Sequence, residues 1–337
     1  MAKKIGWGLI GLGSIAKGAH LPAINKSDNS KLIAVCSREE SKAKDWAKRF
    51  GAKKAYSDYL KMIADPEIDV IDITTPNSLH CEETILAAEH GKNVFCEKPM
   101  APTVKECEEM IAACDRNHVK LMVGYMLRFK PHHIMILEMM KAGELGTVFL
   151  GRAQFHEWVP DESDTYLKDV KLCGELPALQ DVGVHSIDTL RFLMGEVVEV
   201  MSYSDKLVFK YADTVSLLLM KLENSAYAFV DCSFCTRYTS RPQKLEIYGT
   251  KGSVFAATLG GGEFGGKLET STSVGWTIHE VPEENHYLKE ITHFSDCILR
   301  DVKPAIDGEE GLKTQRVVAA ALESHKTGRK IRLSEVH

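Results

Sequence analysis

An apolar run over residues 3–10 leads into Gly11-Leu12-Gly13-Ser14-Ile15-Ala16, and that turn opens a helical stretch. No other feature of the chain restricts its fold as strongly. Gly11 permits a tight turn, Gly13 leaves the backbone open to close approach, and Ala16 lets helix and strand pack closely. The pattern then repeats. Strand-like runs at 31–36 (KLIAVC), 69–74, 92–96 (KNVFC) and 120–124 (KLMVG) alternate with helical stretches, two of which end at Gly51 and Gly91. Thr103 followed by Glu106 reads as a capping box at the start of another helix. Strands alternating with helices of this length predict a parallel, doubly wound sheet, an α/β unit of the Rossmann kind.

This regime closes near residue 124. Helical stretches come next at 131–142 and around 183–194, with a strand at 147–157, then several long strand-like runs, and closing helices at 286–300 and 308–327. The second part is expected to be α+β with an open, mostly antiparallel sheet. A length of 337 residues, more than one hydrophobic core usually supports, fits this division. The expected domains are a dinucleotide-binding Rossmann domain at 1–124 and a substrate-binding and oligomerisation domain at 125–337.

Charge narrows the partners. The net charge of −5 comes without a long basic run, which argues against nucleic acid and anionic membranes. No apolar stretch reaches the roughly 18 residues of a membrane-spanning helix. The N-terminal segment reads as a first strand, not a signal peptide. Nine scattered cysteines, an odd number without a secretory signal, predict reduced thiols in the cytoplasm. Cys232 and Cys235 lack the second pair a zinc ribbon needs, adjacent His132 and His133 would diverge on a helix, and no metal is expected.

The GLGSIA turn, set between strand and helix, predicts a pyrophosphate site at the helix N-terminus. The glycines of the run at 259–266 do not sit between a strand and a helix, so that run reads as a mobile loop. At the end of the second strand an NAD enzyme usually carries a carboxylate for the ribose 2′-OH. This chain has Ser37-Arg38 there, with Lys42 a helical turn on, which favours the 2′-phosphate of NADP while leaving NAD possible. Thr75, Pro76 and Asn77, at the end of the third run, would flank the nicotinamide ribose, with His80 close behind.

Residues 95–100, FCEKPM, put Glu97 and Lys98 at the end of the fourth run, with Pro99 fixing the turn. A lysine partly desolvated beside a cationic nicotinamide has a lowered pKa and can act as acid or base near neutrality. Further on, Asp181, His185 and Asp188 stand at helical spacing and would share one face. A histidine so flanked suits proton transfer at a substrate hydroxyl. His156, Trp158 and Tyr166 would line the substrate side, while Asp161, Glu162 and Asp164 form a solvated acidic loop.

Taken together, GLGSIA, AAEHGKNVFCEKPMA, LMVGYMLRFKP, DVGVHSID and FSDCILRDVKPAIDGEEGL give the chain a resemblance, over nearly its whole length, to the Gfo/Idh/MocA oxidoreductases. The resemblance implies a Rossmann domain plus an open-faced sheet domain that also forms the oligomer interface, giving a homodimer or homotetramer. It implies hydride transfer between NAD(P) and a hydroxyl or carbonyl of a sugar, polyol or related cyclic alcohol. The family's catalytic lysine matches Lys98, its second motif carries over to Asp181 and His185, and Tyr125 and Arg128 match positions near cofactor and substrate. The proton carrier is Lys98 or His185. The chain departs from the family at 175–180, where ELPALQ replaces a glycine-rich run, and at Ser37-Arg38. Two alternatives stand beside this reading: a glycosidase-like enzyme that retains NAD and uses transient oxidation, and a non-catalytic NADP-binding regulator.

Overall fold

Strands buried on both faces read as continuous apolar runs, and the first sheet is built of them. In the computed structural model, which describes residues 3–160, 163, 165–207, 214–237, 243–257, 259 and 265–336, this sheet has six strands. They are β1 (Ile5–Ile10), β2 (Ser30–Cys36), β3 (Lys54–Tyr56), β4 (Val70–Ile73), β5 (Asn93–Glu97) and β6 (Leu121–Gly124). All are parallel, in the order β3-β2-β1-β4-β5-β6. The order reverses between β1 and β4, and ligands of such sheets bind beyond the strand ends at that switch. The edge strand β3 was not expected from the sequence; it is three half-buried residues with no apolar run to announce it. The helix Glu40–Phe50 ends at Gly51 with φ 73°, and Thr103 and Glu106 form the reciprocal capping box.

The chain forms two compact units, and its C-terminal part contributes to both. The first unit is Met1–Gly124 with Tyr287–Leu312, the second Tyr125–His286 with Lys313–His337. This corrects the expectation that everything after residue 125 lies in one domain. The physical reason is the helix His286–Leu299. Its Phe294 packs against Trp7 and Phe95 at ring distances of 6.0 and 5.9 Å. The Trp7 indole N–H donates to Ser295 Oγ at 3.1 Å, and the Asn29 amide donates to the Thr292 carbonyl at 2.9 Å.

The second unit is built on a nine-stranded sheet. Its strands are β7 (Val148–His156), β8 (Val197–Asp205), β9 (Val215–Leu222), β10 (Tyr227–Ser233), β11 (Leu245–Gly249), β12 (Gly252–Ala256), β13 (Gly266–Thr272), β14 (Gly275–Val281) and β15 (Ile331–Arg332). The order is β14-β13-β12-β11-β7-β10-β9-β8-β15, antiparallel except where β7 runs parallel to β10. Period-two alternation separates the faces. Gly151, Ala153 and Phe155 are buried, and the helix Val184–Met194 packs here: a Cβ on Gly151 would fall 2.2 Å from Met194 Sδ. On the opposite face the register aligns Tyr203 with Leu217, and Ser271 with Trp276. The acidic loop at Asp161, Glu162 and Asp164, and most of the glycine-rich run at 259–266, lie outside the described residues.

Candidate active site

The turn after β1 is shaped by what surrounds it. Gly11 has φ 92°, and a Cβ there would fall 2.5 Å from the Thr74 carbonyl carbon, so only glycine fits. Thr74 Oγ1 donates to the Gly11 carbonyl at 2.6 Å, tying the turn to the end of β4. A Cβ on Gly13 would meet nothing within 4 Å, and Ser14 beside it is exposed, while Ala16 is buried. Backbone N–H groups at an open helix start are what a pyrophosphate needs. Over Ala16–His20 the helix takes π geometry, a bulge often found at functional sites.

At the end of β2, Arg38 and Lys42 are exposed, and Arg38 holds no ion pair or hydrogen bond among the described residues. Of the nearby acids, Glu40 pairs with Lys44 at 2.6 Å. The Ser37 hydroxyl accepts from the Glu39 amide at 3.4 Å.

Beyond β4 and β5 the two turns are tied together. Thr75 Oγ1 donates to Glu83 Oε2 at 2.6 Å, and burial pushes the Glu83 carboxyl up to about 7. The buried His80 ring lies between two carbonyls, Thr75 O at 2.9 Å and Pro99 O at 3.1 Å. Asn77 is buried beside it. The Lys98–Pro99 bond is cis. The Lys98 amide N–H donates to Glu97 Oε2 at 3.0 Å, and the other Glu97 oxygen lies 2.8 Å from His20 Nε2.

In the second unit, Leu179–Gly183 is a π turn leading into the helix Val184–Met194. His185 is buried, its ring 5.5 Å from that of Phe155. Asp188 takes Arg128 in a bidentate pair, Nε to Oδ2 at 2.9 Å and Nη2 to Oδ1 at 2.7 Å. Thr314 Oγ1 adds a bond to Asp188 at 3.4 Å. Among the described residues, no group of three or more His, Cys, Asp or Glu side chains could hold a metal ion.

Residues 5–125 match an oxidoreductase family with an NAD-binding Rossmann fold, and residues 133–255 match the GFO/IDH/MocA C-terminal domain. An uncharacterized oxidoreductase of Bacillus subtilis is 31% identical over 96% of this chain and 95% of its own length. The chain belongs to the Gfo/Idh/MocA family. A second relative, D-xylose 1-dehydrogenase (NADP(+)) 2 of Haloferax volcanii, is 28% identical over 97% of this chain and 99% of its own. The crystal structure of an aldose-aldose oxidoreductase from Caulobacter crescentus, complexed with glycerol, superposes with TM-score 0.90 at 28% identity, covering 98% of this chain and 100% of that one. The chain is thus an oxidoreductase of the dehydrogenase class with an NAD(P)-binding Rossmann fold.

Several sequence-predicted residues of this Gfo/Idh/MocA oxidoreductase hold partners of their own. Asp181 lies in the π turn Leu179–Gly183, His185 and Asp188 lie in the helix that follows, and Asp188 is engaged by Arg128. Arg128, expected near the cofactor, is held in that pair and lies 5.4 Å from the Phe192 ring centre. Tyr125 is buried. His156 lies on the face of β7 opposite Phe155 and hence away from His185. There it bonds Asp231 at 2.9 Å and Ser233 at 2.8 Å. Trp158 stacks under the Arg237 guanidinium at 4.9 Å, and Tyr166 is half-buried in a short 3-10 turn. Glu97 and His80, expected at the cofactor, spend their polar atoms bracing the turns. Sequence reading missed His20, Asp72 and Glu290. Asp72 alone left a signal, a carboxylate inside the apolar strand β4.

Proposed function

We propose that the chain is an NADP-preferring oxidoreductase moving a hydride between nicotinamide and the hydroxyl or carbonyl carbon of a sugar or polyol. The observation that carries the reading is Lys98 at the end of β5, braced by Glu97, on a sheet whose Gly11–Gly13 turn is open for a pyrophosphate. NADP preference rests on the exposed Arg38, with Glu40 paired to Lys44, and is supported by the NADP-linked name of the Haloferax volcanii relative. When bound, the nicotinamide supplies the hydride acceptor or donor. The protein's part is to hold the dinucleotide at Gly11, Gly13, Ser14, Ile15, Ala16, Ser37, Arg38, Lys42, Thr75, Pro76 and Asn77. Lys98 or His185 moves the proton at the substrate oxygen, and Asp181 orients the substrate or the imidazole.

The outer face of the second sheet supports a homodimer or homotetramer. Tyr203 and Leu219 near one edge of that sheet, and Trp276 and Ile278 on the strand at the other edge, are 64, 50, 66 and 58% exposed, large apolar side chains of the kind an interface covers. Nine free cysteines, eight of them buried, suit a reducing cytoplasm. No helix among the described residues is long and apolar enough to cross a membrane.

The test is a calorimetric titration of NADPH against NADH, then turnover with aldoses, ketoses and inositols. The reading expects NADPH to bind at least tenfold tighter, and Arg38→Ala to remove most of that advantage, as loss of a charge-assisted contact of about 1.5–3 kcal/mol would. Tighter NADH binding overturns the NADP assignment. NAD(H) retained through purification, with no net turnover, favours the glycosidase-like reading.

A further inference from the structure

The first unit holds a cluster of ionisable side chains that the proposed reaction does not use. The fully buried His20 closes the π turn Ala16–His20. Its Nδ1 lies 2.9 Å from Asp72 Oδ2 and its Nε2 2.8 Å from Glu97 Oε1. With both carboxyls ionised, each only accepts, and the ring between them then carries a proton on both nitrogens as an imidazolium. The rings of Phe95 and Tyr287 stand 5.5 and 6.4 Å away. A third carboxyl, Glu290 of the helix His286–Leu299, is fully buried, and among the described residues neither of its oxygens has a hydrogen-bond partner. Burial first, then the charges of Glu97 and Asp72, push its pKa well above its ordinary value against the opposing charge of His20. Glu97, by contrast, is held below its ordinary value despite its burial, by its bond to His20, the His20 charge and the Lys98 charge. β4, β5, the π turn and the helix His286–Leu299 thus all contribute. The one cation among them sits between two anions, one of which reaches the Lys98 backbone.

We propose that His20 is a positioning residue for Lys98: clamped between Asp72 and Glu97, it fixes the carboxylate that holds the Lys98 amide. This rests on the reading of Lys98 as a proton carrier. The same helix that receives the dinucleotide at its start therefore sets the lysine at its first buried turn.

The test compares His20→Asn, Glu97→Gln and the double variant. Lys98 titration is read by trace acetic anhydride labelling across pH with mass spectrometry, which needs no turnover. The expected result is a displacement of the Lys98 profile by about half a pH unit or more in each single variant. The accompanying loss in kcat is about tenfold or greater, with KM and NADPH affinity changed less than about threefold. The double variant is expected to be no worse than Glu97→Gln, since both act through one carboxylate. An unmoved Lys98 profile in folded His20→Asn, or additive losses, overturns the proposal. A moved profile with full turnover in Lys98→Met keeps His20 as a positioning residue and removes Lys98 as the proton carrier. Should His20→Asn not fold, the wild type decides: among its 13 histidines, ¹⁵N spectra at pH 8 must show one persistent imidazolium, and its absence overturns the proposal.

Discussion

A lysine between a glutamate and a proline at a strand end is legible in a sequence; what braces it is not. Lys98 and His185 stood out because their neighbours in sequence carry the chemistry. His20 did not, because its partners are 52 and 77 positions away and only the fold assembles them. The first residue-scale expectation concerns Lys98. Lys98→Met should retain NADPH affinity and lower kcat by about 10²–10⁴, the contribution of a positioned acid or base; steady-state kinetics near the wild-type rate would remove it from the mechanism. The second concerns Glu83. Its folded carboxyl titrates at about 7 against an ordinary 4.5, so the native state keeps a proton that the unfolded chain has already lost. Stability therefore falls as pH rises through that window and is restored below it. Glu83→Gln removes the penalty. Denaturant melts should find it more stable than wild type by about 1–3 kcal/mol at pH 8, and indistinguishable at pH 4. A gap that does not narrow on acidification would mean that ionisation is not the cause.

Among the elements, parallel strands buried on both faces announce themselves, and β1, β2, β4, β5 and β6 fall within a few residues of their apolar runs. The short edge strand β3 gave no such run. Neither π turn was legible, since the extra residue in each leaves the apolar pattern almost unchanged and only rotates the next helical turn. The parallel pairing of β7 with β10 was hidden for another reason: strands far apart in sequence carry no mark of their partner. The turn after β1 is the element whose sequence and geometry agree most closely. Gly11→Ala would place a methyl against the Thr74 carbonyl in a backbone region that costs alanine about 1–3 kcal/mol. The expected outcome is NADPH binding weakened at least tenfold with an unchanged far-UV spectrum; unchanged affinity would mean that the turn does not touch the cofactor.

At the scale of the whole molecule, the outer face of the second sheet calls for a direct test. Leu219→Asp places a charge amid Tyr203, Leu217 and Tyr227, and light scattering should show a mass at most half that of the wild type. If both proteins run at the mass of one chain, the face is not the oligomer contact. The two-part division was legible, because the strand–helix alternation stops near residue 124. The return of Tyr287–Leu312 was not, because a helix does not name the sheet it will cover. That return has a consequence for how the protein comes into being. A ribosome finishes residues 125–286 before it delivers the helix that seals Trp7 and Phe95. The part made first is completed last, and the nascent chain must carry an unsealed apolar surface through most of its own translation.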